Sequence, residues 1–298
     1  AGPDAKLLEF GTRRAFSPQG ALWAARAALA GGLDSTSNVL AALQLGRQPT
    51  GTMAHALVMA IAALEGSETD AFEAFHRYFP GAPLLIDTFD TVTAAQQLAA
   101  KRQQGQNALA GVRLDSGDLA TLSQQVRELL PGVPIFASGD IDEYEIVRLN
   151  QAGAAIDGYG LGTRLVTGSP VNGVYKLVDI DGIPVMKEAS SKVSYPGQKQ
   201  IFRQYEDNIA IKDWLGLASE AQNHGAQPLL QPVMQNGKLV IEPESLTAIA
   251  QRTAQSVASL SPTVRRVYEP TPYNVAITPE LAKLTQATRQ QPPAESNP

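Results

Sequence analysis

Seven places along the chain put polar, charged or glycine-rich residues directly behind a short apolar run. In order they are Gly11-Thr12-Arg13-Arg14; Asp34-Ser35-Thr36-Ser37; Ala54-His55; Asp87-Thr88; Arg113 with Asp115-Ser116-Gly117-Asp118; Ser138-Gly139-Asp140; and Gly160-Leu161-Gly162-Thr163-Arg164. Gathered on one surface, they would offer arginines, several carboxylates, a histidine and glycine-bearing turns. Arginine forks and the backbone N–H groups of tight turns suit a ligand rich in anionic oxygens. The carboxylates suit its hydroxyls or a metal. Each cluster also has a plainer reading. Asp115 and Ser116 can cap the helix that follows, and Ser138-Gly139-Asp140 carries the same ambiguity. Gly160-Leu161-Gly162-Thr163 can be an ordinary tight turn. Arg13-Arg14 can be a solvated pair, and His55 a structural histidine. His76 reads as half-buried packing within a helix, and His224 as exposed in a polar stretch. The argument rests on the clusters converging, not on any one of them.

Convergence requires a scaffold. Candidate strands cover residues 6–10, 32–34, 50–53, 83–87, 111–114, 134–137 and 156–159. Helical patterns cover residues 18–30, 67–79, 91–104, 119–130 and 142–152. The first helix follows Ser17, has Pro18 in its first turn and stops at Gly31-Gly32, which are helix start and stop signals. Alternating strands and helices predict parallel βαβ units. About seven such units fit an irregular α/β barrel, with a doubly wound sheet as the fallback. In both architectures ligands bind at the carboxyl ends of the strands, where the seven clusters lie.

The barrel domain is expected over residues 6–170. Beyond it, residues 174–180 and 183–187 flank Asp181-Gly182 and read as a hairpin. A strand at 200–205, a turn at Asn236-Gly237 and a helix at 243–259 complete a smaller mixed-β/α domain over 171–290. The Pro-rich polar stretch 291–298 is expected to be disordered.

Composition narrows the function classes. The 298 residues carry a net charge of −5, with 44% hydrophobic and 18% charged residues. This is globular composition without a basic block, so a nucleic-acid partner is not expected. The apolar stretch 56–64 is too short to span a bilayer. The first residues lack the basic and apolar regions of a signal peptide. No cysteine is present, which removes disulfides and thiolate metal sites. A soluble, cytoplasmic protein without a membrane partner is the expectation.

Five ordered motifs together resemble the nicotinate phosphoribosyltransferase family. They are Glu9-Phe10-Gly11-Thr12-Arg13-Arg14, the run from Gly32 through Asp34-Ser35-Thr36-Ser37 to Ala41, Gly51-Thr52-Met53-Ala54-His55, Val112-Arg113-Leu114-Asp115-Ser116-Gly117-Asp118, and Gly158-Tyr159-Gly160-Leu161-Gly162-Thr163. Val174-Tyr175-Lys176-Leu177-Val178 and Tyr195-Pro196-Gly197-Gln198-Lys199 are similar to the same family further on. The resemblance implies an irregular α/β barrel with a smaller domain, acting as a homodimer with shared active sites. It implies synthesis of nicotinate mononucleotide and pyrophosphate from nicotinate and phosphoribosyl pyrophosphate, the first step of NAD synthesis from nicotinate. ATP is implied as co-substrate, phosphorylating an active-site histidine. Mg²⁺ is expected from the phosphate chemistry, held by no protein side chains alone.

The resemblance also implies residue roles. Phe10 would stack on the pyridine ring, Arg113 would pair with its carboxylate, and Arg13 would contact the substrate or phosphate side. Asp115 would hold ribose hydroxyls. Ser138, Gly139, Asp140, Gly160, Gly162 and Thr163 would cradle the 5′-phosphate, and Lys176 would reach phosphate. His55 would carry the phosphoryl group, with Asp87 orienting its ring. In the related nicotinamide enzymes an Asp stands where Ser37 aligns. A hydroxyl there can donate to a carboxylate, whereas an Asp would repel it. Nicotinate is therefore expected ahead of nicotinamide, and the specific motifs put it ahead of quinolinate. A non-catalytic nucleotide-binding barrel is the alternative from another class, because the family's N-terminal portion precedes the motif that here begins at Glu9. The expectation is a separate N-terminal chain, or else an exposed barrel edge around residues 7–10.

Overall fold

In the computed structural model, which describes residues 1–2, 4–105, 109–190, 192–220 and 225–290, the apolar runs form short parallel strands. They are β1 (Lys6–Glu9), β2 (Ser35–Thr36), β3 (Leu84–Leu85), β4 (Val112–Leu114), β5 (Ile135–Ala137) and β6 (Gly158–Leu161). Between and after them lie α1 (Pro18–Ala30), α2 (Val39–Gln44), α3 (His55–Glu65), α4 (Glu68–Tyr78), α5 (Thr91–Gln103), α6 (Leu119–Leu129), α7 (Glu143–Gln151) and α8 (Thr163–Val166). The sheet order is β2-β1-β6-β5-β4-β3, parallel throughout. Strands thus follow chain order around a ring that is open between β2 and β3. This is an irregular α/β barrel of six strands.

Three expectations are corrected here. Residues 50–53 form no strand. They run through the open seam, where the Thr50 N–H donates to the Thr36 carbonyl at 2.9 Å and Arg113 Nη2 donates to the Met53 carbonyl at 3.1 Å. The strand expected at 32–34 sits at Ser35–Thr36 instead, because Gly31 and Gly32 close α1 and the Asp34 side chain is turned to Lys6 and the Leu7 N–H. The region about residues 7–10 is no edge. β1 pairs with β2 on one side and, from Lys6–Gly158 to Glu9–Leu161, with β6 on the other. The last strand of the barrel covers the first.

The helices start where local chemistry satisfies their free N–H groups. Ser17, Asn38, Ser67, Asp90, Asp118 and Asp142 each accept a backbone N–H as N-cap. Leu84, Leu85, Val112, Leu114, Ile135, Ala137 and Tyr159 form the buried strand layer beneath α4–α7. His76 is part-buried, its Nε2 3.3 Å from the Ala82 carbonyl.

The chain divides into two compact units, residues 1–169 with 246–253, and residues 170–245 with 254–298. In the second unit, β7 (Asp179–Ile180) and β8 (Ile183–Pro184) form the hairpin about Asp181-Gly182, with strands much shorter than expected. β9 (Lys187–Ala189) pairs with β10 (Lys192–Ser194). β11 (Lys199–Glu206) and β12 (Ile209–Leu217) make a long hairpin turned at Asp207-Asn208. β13 (Gln227–Pro228) flanks β11, while β14 (Met234–Gln235) and β15 (Lys238–Leu239) meet at Asn236-Gly237. After α9 (Leu246–Ala258), β16 (Val275–Ile277) pairs parallel with β12 and α10 (Pro279–Arg289) follows. Inside this sheet Arg203 grips Asp213 with two 2.8 Å bonds, and the Tyr273 hydroxyl donates to the same carboxylate. His224 and residues 291–298 lie outside the described residues.

Candidate active site

The carboxyl ends of the barrel strands surround a cavity of about 640 Å³. Phe10, Arg13, Ser37, His55, Arg113, Asp115, Ser138, Gly139, Asp140, Gly160, Gly162 and Thr163, all singled out in the sequence, line it. Asp87 and Lys176 do not. Asp87 stands behind the wall with a side chain only 2% exposed, and Lys176 belongs to the second unit.

The plainer readings of two clusters give way here. The cap of α6 is Asp118, and the cap of α7 is Asp142. Asp115 and Asp140 are thereby left free to face the cavity. Asp115 Oδ1 accepts from the Ser138 hydroxyl at 2.5 Å, which couples the ends of β4 and β5. Gly139 has φ +92°, and a Cβ there would lie 2.2 Å from the Asp115 carbonyl oxygen. Only glycine fits so close an approach in that conformation. Asp140 follows with φ 51°, an unusual conformation for a residue with a side chain and one that merits a functional reading.

Phe10 and Arg113 line the cavity side by side. The Arg113 guanidinium lies 5.9 Å from the Phe10 ring centroid, within cation–π range. A Cβ on Gly160 would stand 2.5 Å from that ring, so Gly160 makes room for Phe10. Burial pushes the Arg113 guanidinium below its ordinary value, while Asp115 and Asp87 push it back up. Its Nη1 is 3.8 Å from Asp115 Oδ1, and its buried Nε has no partner. A planar cation with an unfilled donor beside an aromatic face suits an aromatic carboxylate.

His55 begins α3, with its ring at the cavity wall. Nδ1 is 3.1 Å from Thr88 Oγ1. Nε2 faces Asp115 Oδ2 at 3.7 Å and Asp87 Oδ1 at 3.9 Å. Those separations exceed a hydrogen bond, so the ring's hydrogen-bonded neighbour is Thr88. Asp87 Oδ2 instead accepts from the Asp115 N–H at 2.9 Å and the Ser116 hydroxyl at 2.6 Å, and its buried Oδ1 has no partner. The sequence shows Thr88, Arg14 and residues 51–54 only as members of their clusters and gives them no individual role; Arg14 and residues 51–54 line the cavity. Arg14 had only its neighbour Arg13 as a signal. Residues 51–54 lie where the open seam meets the cavity.

Comparison with known proteins places this arrangement. Residues 5–137 match the Nicotinate phosphoribosyltransferase (NAPRTase) family, and residues 219–285 match the Nicotinate phosphoribosyltransferase C-terminal domain. The chain is 32% identical to the nicotinate phosphoribosyltransferase of Homo sapiens, over 96% of this chain and 69% of that protein. It belongs to the nicotinate phosphoribosyltransferase family. Nicotinate phosphoribosyltransferase pncB2 of Mycobacterium tuberculosis is 38% identical over 98% of this chain. The chain spans 65% of the length of that relative. The crystal structure of human nicotinic acid phosphoribosyltransferase superposes with a TM-score of 0.77 at 28% identity, covering 96% of this chain and 71% of that one. That of the Pyrococcus furiosus nicotinate-nucleotide pyrophosphorylase gives 0.71 at 27% identity, covering 86% and 66%. Both similarities extend the family's α/β architecture to this chain. Among the described residues no helix is long and apolar enough to cross a membrane.

Proposed function

We propose that this chain carries the catalytic barrel of a nicotinate phosphoribosyltransferase, which joins nicotinate to phosphoribosyl pyrophosphate with coupled ATP hydrolysis through a phosphorylated His55. The observation that carries the reading is one cavity holding Arg113 beside Phe10, a glycine-hinged turn at Gly139-Asp140, and His55 facing two carboxylates.

In this reading the pyridine ring lies on Phe10 and its carboxylate meets Arg113, with Ser37 donating to the same group. The ring nitrogen forms a bond to the anomeric carbon as the carbon–oxygen bond to pyrophosphate breaks, and pyrophosphate leaves with the electron pair. The ribose becomes oxocarbenium-like, so positioning and fixed charge matter more than a strong base. Asp115, held by Ser138, faces the ribose. The 5′-phosphate takes backbone N–H groups of Gly139, Asp140, Gly162 and Thr163; helix first-turn N–H groups such as that of Thr163 lack partners within the helix. Gly160 contributes by leaving space for Phe10. ATP's terminal phosphoryl group passes to a ring nitrogen of His55, releasing ADP, and water later takes it as phosphate.

Among the described residues no group of three or more His, Asp and Glu side chains could hold a metal ion. Mg²⁺, expected with the phosphate substrates, would ride on their oxygens, where Asp115 and Asp140 are the cavity carboxylates available to it. Bound there it would neutralise pyrophosphate charge. The homodimer and a phosphate role for Lys176 belong to the same reading.

Product analysis tests it. The purified protein is offered nicotinate, nicotinamide or quinolinate with phosphoribosyl pyrophosphate, Mg²⁺ and ATP. Nicotinate mononucleotide formed from nicotinate alone, with matching ADP release, is the expected result. Turnover confined to nicotinamide or quinolinate overturns the substrate assignment, and nucleotide binding without any turnover points to a non-catalytic barrel.

A further inference from the structure

We infer that Glu9 is a positioning residue that sets the nicotinate side of the cavity by tying together the two loops that carry Arg13 and Ser37. The inference rests on the reading above. Glu9 ends β1 and is only 1% exposed. It has no ion-pair partner among the described residues, and a buried carboxylate is costly unless its oxygens are well satisfied. Both are. Oε1 accepts from the Gly11 N–H at 2.5 Å, and Oε2 accepts from the Thr36 hydroxyl at 2.5 Å.

Each bond leads to the ligand. Gly11 opens the turn that presents Arg13 and Arg14. Thr36 precedes Ser37, and its Oγ1 also accepts from the Asn38 N–H at 2.9 Å. The Glu9 backbone adds to this, because its carbonyl accepts from the Ser37 N–H at 2.9 Å. Beyond Thr36, the carbonyl of that residue holds Thr50 at the start of the seam. One residue thus fixes segments 11–14 and 36–38 directly. It has no side-chain hydrogen bond to 138–140 or 160–163, the loops assigned to phosphate. The Glu9 backbone pairs with Leu161 in the β1–β6 ladder, so it is the side chain, whose bonds go only to Gly11 and Thr36, that is expected to bear on nicotinate more than on phosphoribosyl pyrophosphate.

Glu9→Gln and Thr36→Val, each close in shape to the native residue, test this in the intact protein. Backbone amide hydrogen exchange and calorimetric titration of nicotinate and of phosphoribosyl pyrophosphate are measured on both variants. Loss of one charged hydrogen bond predicts faster exchange at 11–14 and 36–38, about tenfold weaker nicotinate binding, and phosphoribosyl pyrophosphate affinity within about twofold. A general structural role would weaken both ligands together and speed exchange throughout. That result, or unchanged exchange at the two loops, overturns the inference. Loosened loops in the variants of a wild-type protein that binds no nicotinate would support the clamp while overturning the functional reading.

Discussion

The two sides of the cavity treat buried polar atoms in opposite ways. On the β1–β2 side both oxygens of buried Glu9 are occupied and the loops above are tied to them. On the β3–β4 side Asp87 Oδ1, Arg113 Nε and, at the start of α4, Glu68 Oε1 are buried without partners. An unmet buried polar atom costs about 1–3 kcal/mol. Folding tolerates that cost where chemistry needs groups ready to act, and avoids it where a frame must hold still. Satisfied and unsatisfied buried groups thus belong to different strand ends around one cavity.

The sharpest way to separate the walls is His55→Ala. ATP turnover should vanish while nicotinate still binds, because the ring's hydrogen bond goes to Thr88 and the groups assigned to nicotinate are Phe10, Arg113 and Ser37. ADP release and nicotinate titration on the folded variant check this, and undiminished ATP turnover would remove His55 from its role.

Ser37→Asp strikes the other wall. A second carboxylate beside that of nicotinate should weaken nicotinate binding roughly ten- to hundred-fold, with a much smaller effect on phosphoribosyl pyrophosphate. Equal losses for both ligands would place Ser37 away from the carboxylate.

Gly160→Ala probes the wall through Phe10. The new methyl must displace the ring, a strain of about 1–3 kcal/mol in a packed site. Nicotinate affinity should fall about tenfold or more. Affinity equal to wild type would show that the ring does not need its present position.

Glu68→Gln has the smallest effect and acts on stability. Burial, with Asp87 and then Asp90 adding repulsion, pushes the Glu68 carboxyl from 4.5 up to about 7. Between those values the folded chain keeps a proton that the unfolded chain has released. Stability therefore falls as pH rises through that window and levels off above it. The variant should lose this slope and gain about 1 kcal/mol at pH 8, allowing for screening of a half-buried group. Denaturant melts from pH 5 to 8 measure it, and parallel curves would show that Glu68 titrates normally.

The sequence displayed the site better than its frame. Polar clusters behind apolar runs marked the strand ends, since a parallel strand buried on both faces leaves only its terminus for function. The seam at 50–53 was misread because an extended, half-polar segment looks like a strand until its neighbours are known. Glu9 was read only as part of a motif, since a carboxylate in a short strand gives no sign that both oxygens are satisfied from loops distant in sequence. The distance from Asp87 to His55 depends on how two loops lean, which no local pattern encodes.

The open seam has a mechanical consequence. A ladder strand is held by several backbone bonds on each side, so pulling one out is costly. Residues 50–53 are held to β2 by a backbone bond from Thr50, to β4 by the Arg113 bond to the Met53 carbonyl, and to the core by the buried Met53 side chain. The barrel is a split ring, its strands joined by ladders except across the gap between β2 and β3, where residues 50–53 pass. His55 rides on the lip of that gap. The position of the histidine relative to both carboxylates is therefore set across the gap, not by a strand ladder.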